Sequence, residues 1–179
     1  MKKRVHTKKK QHRGFTLIEL LIVIGILGVL AAAILVALNP LEQFARGRDS
    51  GRITTVNQLG HSIQGYHASQ NSVYPVQSAA WMTTLQTAAE LKALPTNPTS
   101  GGYTSGCYTA NVAQNGICYR TNGVDAIVYV QSEANANDVK ATCTAAQITW
   151  IVWSSADGKA GLTCTAANTD PAVGIIGLR

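Results

Sequence analysis

The strongest pattern in the chain is a run of 19 residues, Leu20 to Leu38, without one polar side chain. At about 1.5 Å of rise per residue it makes a helix roughly 28 Å long, close to the roughly 30 Å hydrocarbon core of a bilayer. After Pro40 the pattern changes. Val56, Leu59, Ile63 and Tyr66 recur at spacings of three, four and three, with Asn57, Gln58, His61, Ser62 and Gln64 between them. That periodicity predicts an amphipathic helix laid on a globular head. A third regime begins near Asn71. Tyr74-Pro75 ends the stem, and Trp81, Leu85, Ala88, Leu91 and Leu94 predict a short helix that Leu94-Pro95-Thr96-Asn97-Pro98 stops. Asn115-Gly116 is a hairpin signal, flanked by Cys107-Tyr108-Thr109 and Ile117-Cys118-Tyr119. Val124 to Val130 and Ile148 to Ser154 read as central strands of an antiparallel sheet. The expected fold class is α+β: a long N-terminal helix, half membrane-spanning and half amphipathic, packed on a small antiparallel β-sheet head.

Two local features modulate the helices. Pro40 removes an intrahelical donor and crowds the carbonyl of Val36, so a kink or a short unwound stretch is expected over Leu38 to Leu41. The plainer reading is that Asn39 and Pro40 end the apolar helix. Gly47, Gly51, Gly60 and Gly65 each weaken an interior helical position by about 1 kcal/mol relative to Ala.

Charge alters the picture only once it is located. The totals, 15 Lys+Arg against 9 Asp+Glu and a pI near 9.3, would point to nucleic acid. Seven of the basic groups fall within residues 1 to 14, however, leaving eight against nine, a net −1, in the rest. No specific nucleic-acid partner is expected. A basic segment before an apolar helix holds the N-terminus in the cytoplasm and sends the remainder of the chain outward. A signal anchor would suffice, as would a cleaved secretory signal with Ala31 and Ala33 at the cut. Glu19 fits neither. An ionised carboxylate in such a helix costs about 2.5 to 3.5 kcal/mol at mid-membrane. Its helical neighbours Phe15, Thr16, Ile22 and Val23 offer no cation. A cut between Gly14 and Phe15 would create an α-amino group that an adjacent copy can bring to Glu19. The charges Arg46, Arg48, Asp49 and Arg52 lie just beyond the apolar run and read as solvated stem or lipid headgroup contacts.

The segment Arg13-Gly14-Phe15-Thr16-Leu17-Ile18-Glu19-Leu20-Leu21-Ile22-Val23 resembles the class III signal of bacterial type IV pilins and type II secretion pseudopilins. The resemblance is strong over residues 8 to 40 and weaker beyond. It implies that a prepilin peptidase cuts after Gly14, that Phe15 becomes the N-methylated mature terminus, and that Glu19 is the assembly carboxylate. It also implies a pilin-like fold, with a helical stem that runs on past the break at Pro40. On this basis residues 1–14 are a cytoplasmic leader, 15–40 a transmembrane and assembly helix, 41–70 an amphipathic stem and 71–179 an extracellular head. The function implied is a structural subunit of a pilus-like filament, not an enzyme. Alternatives are a pseudopilin or minor pilin of a type II secretion or DNA-uptake system, or a membrane-tethered binding domain using the same signal. Implied partners are identical or related pilin subunits, prepilin peptidase and N-methyltransferase, the inner-membrane assembly machinery, and membrane lipid before assembly. The implied location is the cytoplasmic membrane for the precursor, then an extracellular pilus or periplasmic pseudopilus.

Four cysteines, Cys107, Cys118, Cys143 and Cys164, allow three pairings. Outside the cytoplasm they should oxidise. The favoured pairs are Cys107 with Cys118 across the predicted hairpin and Cys143 with Cys164 bracketing the last strand. Zinc ligation is disfavoured because no two cysteines are two to four residues apart. No cofactor or metal is expected. His61 and His67 are six apart rather than four, and His6 and His12 lie in the leader. Ser154-Ser155-Ala156-Asp157-Gly158 resembles the start of the calcium loop of major type II pseudopilins. The acids that such a loop needs further on are absent, so a plain Asp-Gly turn is expected there.

Overall fold

The computed structural model describes residues 14–98, 106–109 and 113–179. Residues 1–13 of the expected leader, His6 and His12 among them, lie outside that set. The chain divides into two compact units, Met1–Pro40 and Leu41–Arg179.

Among its described residues the first unit carries one apolar helix, α1 (Leu17–Leu38). It is the one helix among the described residues long and apolar enough to cross a membrane. None of its residues is buried. It ends at Asn39, which takes the left-handed conformation with φ 39°. Asn is among the few residues that tolerate this geometry. The helical state resumes at Pro40, the first residue of α2 (Pro40–Ser69). A proline at a first helical position lacks only an N–H that has no intrahelical acceptor. The break therefore sits at Asn39, one residue before the proline, with Pro40 starting a helix rather than bending one.

In the second unit α2 buries Ala45, Asp49, Arg52, Val56, Leu59, Gly60 and Ile63. Their spacing of four, three, four, three, one and three is that of a single helical face. The face lies against a five-stranded antiparallel sheet in the order β1-β2-β3-β4-β5, formed by Ala113–Gln114, Ile117–Thr121, Ala126–Gln131, Gln147–Ser154 and Lys159–Ala166. Alternate residues of the strands serve two cores. Ile117, Tyr119, Val128, Val130, Ile151 and Trp153 join α2 and α3 (Trp81–Thr87) on one side. Cys118, Ile127, Tyr129, Trp150 and Val152 face the other side, where Cys107, Val173, Ile175 and Leu178 cover them. Each large apolar side chain so buried contributes about 1.5 to 3 kcal/mol. At Gly60 the helix lies so near the sheet that a Cβ would overlap the indole of Trp153.

Several expectations are corrected. The helix expected over Trp81 to Leu94 stops at Thr87, because Ala89 turns left-handed (φ 59°). Glu90 N–H then bonds to Leu85 O and Ala89 N–H to Gln86 O, at 3.0 Å each. That pair of bonds closes the helix carbonyls in a Schellman arrangement. Asn115-Gly116 does form the two-residue turn, with φ 51° and 76° and Gln114 facing Ile117. Its N-terminal arm, however, is Ala113–Gln114 and not Cys107-Tyr108-Thr109. Cys118 faces Ala113 across the hairpin, while the segment holding Cys107 is tied down separately: Asp170 accepts the N–H groups of Tyr108 and Thr109 at 3.0 and 2.6 Å. Ile148 to Ser154 is not the last strand, since β5 comes next after a turn at Ser155 to Gly158. A helix that the hydrophobic pattern did not predict, α4 (Asn135–Ala141), joins β3 to β4.

Candidate assembly determinants

The residues at the head of α1 come together because the chain starts a helix there. Thr16 is extended, with φ −81° and ψ 152°, and is the N-cap of α1. Its hydroxyl oxygen accepts the Glu19 N–H at 3.3 Å. The Glu19 carboxylate in turn accepts the Thr16 N–H at 2.8 Å and the Thr16 hydroxyl at 2.9 Å. This reciprocal capping box satisfies two backbone donors that a helix start leaves without acceptors. Glu19 thus has a local partner besides the distant amine expected for it, and Thr16-Leu17-Ile18-Glu19 carries the spacing that could have revealed it. Phe15, the proposed mature terminus, is 86% exposed.

Of the charges beyond Asn39, Arg46 is exposed as expected, whereas Asp49 and Arg52 are not solvated. Asp49 and Arg52 are 2% and 1% exposed. A buried charge is tolerated only when paired and hydrogen-bonded. Arg52 donates to Asp49, to Asn97 Oδ1 at 2.8 Å, to Pro98 O and to Glu133. Asp49 accepts from Ser132 Oγ at 2.6 Å, Glu133 N–H at 3.0 Å, Ala134 N–H at 2.9 Å and Asn137 Nδ2 at 2.7 Å. Arg48 adds a two-pronged pair with Glu133, the fork geometry guanidinium favours with carboxylate. Nearer the start of α2, Glu42 accepts the N–H groups of Asn135 at 3.2 Å and Ala136 at 3.0 Å and pairs with Arg46 at 3.2 Å. The Ala136 N–H, with help from Arg46, holds the Glu42 carboxyl below its ordinary pKa against the opposing effect of burial.

Elsewhere, Cys107 is bonded to Cys118 and Cys143 to Cys164, with Cα separations of 5.9 and 5.6 Å. His67 stacks on Tyr74 at 4.2 Å. Asp157 lies in the β4–β5 turn, where one oxygen accepts the Leu178 N–H at 3.0 Å. That bond lowers its pKa, with Lys159 as a further cause. No group of three or more His, Cys, Asp or Glu among the described residues is placed to hold a metal ion. A cleft of about 300 Å³ beside Thr142, Gln147 and Leu162 has Arg179 as its one ionisable lining side chain.

Residues 9–35 match the prokaryotic N-terminal methylation motif. The chain is 34% identical over 101 residues to the type II secretion system core protein G of Vibrio cholerae serotype O1. That stretch covers 56% of this chain and 62% of the relative, so somewhat under two thirds of the relative's length is spanned. No solved structure matches the chain. The methylation motif at the head of an apolar, capped, unburied helix and the likeness to this relative both agree with the resemblance to bacterial type IV pilins and type II secretion pseudopilins.

Proposed function

We propose that the chain is inserted with residues 1–14 in the cytoplasm, cut after Gly14, methylated on Phe15 and assembled through α1 into a type IV pilus-like filament. The observation carrying this reading is a 22-residue helix, apolar on every face and unburied, with one carboxylate at its head inside the methylation motif. Such a surface is at home in lipid, and against identical helices it packs without water. In the isolated chain Glu19 caps its own helix. In the filament it would meet the Phe15 amine of a neighbour. Prepilin peptidase and the inner-membrane assembly machinery are the partners this sequence of events requires. Assembly as a periplasmic pseudopilus is the second reading, favoured by the likeness to core protein G.

Mass spectrometry of material sheared from cells should find chains that begin at methylated Phe15; filaments built of chains that keep the leader would overturn the proposal. Recovery of such chains only from the periplasm selects the pseudopilus. Glu19→Ala should be processed yet yield at least about ten-fold fewer filaments. Thr16→Ala removes the cap, keeps the carboxylate and should assemble. Equal loss in both variants would mean that Glu19 acts only as a cap.

A further inference from the structure

Helix α4 has little of its own to fold with. It is seven residues long, whereas isolated helices below about 12 to 15 residues are marginal in water. Its N-cap position is Ala134, which has no side chain able to accept a hydrogen bond. The donors that open the β3–α4 junction are instead met from another element. Asp49 takes the N–H groups of Glu133 and Ala134, and Glu42 takes those of Asn135 and Ala136. Side-chain bonds from Ser132 and Asn137 to Asp49, and from Arg48 and Arg52 to Glu133, close the same junction.

Glu42 and Asp49 are seven residues apart. In a helix that is two turns, about 10 Å along one face; in an extended chain it is up to about 23 Å. The two carboxylates therefore reach neighbouring parts of one short junction only while the first turns of α2 are wound. At its other end α4 is held by the Cys143–Cys164 disulfide and by Arg179, which donates to Ala141 O at 3.0 Å.

We propose that α4 is a conditional helix, wound only while residues 41–52 of the stem are wound, so that the β3–α4 junction of the head tracks the state of the stem. The coupling is carried by Glu42 and Asp49 and requires no movement of the sheet. Unwinding at the start of α2 withdraws the acceptors of four backbone N–H groups at once and lets α4 unwind from its N-terminal end, while β3 and β4 keep their pairing. This inference does not depend on filament assembly and is tested apart from it.

The test is hydrogen exchange on the full chain in detergent micelles, read separately over α4 and over the central strands. Residue 47 is suited to it, because a Cβ there meets nothing within 4 Å. Gly47→Ala strengthens the stem helix without touching α4 and should slow exchange of the α4 amides about five-fold. Gln43→Gly, in the same stretch of the stem, should speed them by a similar factor. Glu42→Ala should speed the α4 amides further, with those of Ala126–Gln131 and Gln147–Ser154 unchanged in all three variants. The proposal is overturned if the two stem variants leave α4 exchange where it was, or if α4 and the strands respond by equal factors.

Discussion

Helices α1 and α2 are consecutive in sequence and reverse the usual link between apolarity and burial. Within α1, Glu19 is the one ionisable residue, and nothing in the helix is buried. In α2 polar residues are mixed throughout, yet seven residues are buried, including an aspartate and an arginine. Mean polarity therefore does not say what a helix packs against. A uniform apolar surface has no preferred side and looks outside its own chain, to lipid or to other copies. A mixed surface with one consistent stripe has a unique side, and α2 uses it to hold the head.

The largest expected effect that would break this contrast is at Arg52. Arg52→Ala strips the guanidinium from Asp49 and Glu133 and leaves buried carboxylates without it, which should cost the head about 3 to 5 kcal/mol. Glu19→Ala should leave the head's stability unchanged. Pulse proteolysis in urea measures both, and a loss below about 1 kcal/mol for Arg52→Ala would mean that the buried charges do not anchor the stem.

A smaller effect separates the glycines of the two helices. Gly60→Ala drives a methyl into Trp153 and should destabilise the head by about 1 to 3 kcal/mol. Gly25→Ala meets nothing within 4 Å and should not destabilise it. Equal melting temperatures for the two variants would refute the close helix–sheet contact.

The smallest effect is acid sensitivity of the stem's hold on α4. The folded pKa of Glu42 is lowered, so its contribution is fully present above the ordinary carboxylate value of 4.5 and is lost as pH falls below it. Compared at the same pH, the α4 amides of wild type should exchange more slowly than those of Glu42→Gln near neutrality, and the two should converge on acidification through that range. A gap that persists in acid would assign the effect to something other than ionisation.

The sequence made legible whatever near neighbours decide. The apolar run, the stripe Val56, Leu59, Ile63, the turn at Asn115-Gly116 and the β-branched strands all depend on residues within a few positions. Thr16 and Glu19 belong to that class too, but a carboxylate in an apolar run draws attention to a distant cation rather than to a hydroxyl three residues away. The fate of Asp49 and Arg52 was not legible. Their partners Ser132, Glu133 and Asn97 lie 83, 81 and 45 residues away, and an isolated charge on a helix looks solvated until the fold closes over it. Helix α4 was hidden for the same reason, since its caps belong to another helix. Lys159–Ala166 mixes Gly, Thr and Ala and becomes a strand through its pairing with Gln147–Ser154.

The placement of the aromatic indoles divides the molecule in one more way. All three tryptophans, Trp81, Trp150 and Trp153, lie in the head and are fully buried. Helix α1 contains none. Tryptophan emission from this protein is therefore a report on the head alone, with α1 optically dark. A single label placed at the dark end would let the surroundings of α1 and the integrity of the head be watched at two wavelengths in the same sample.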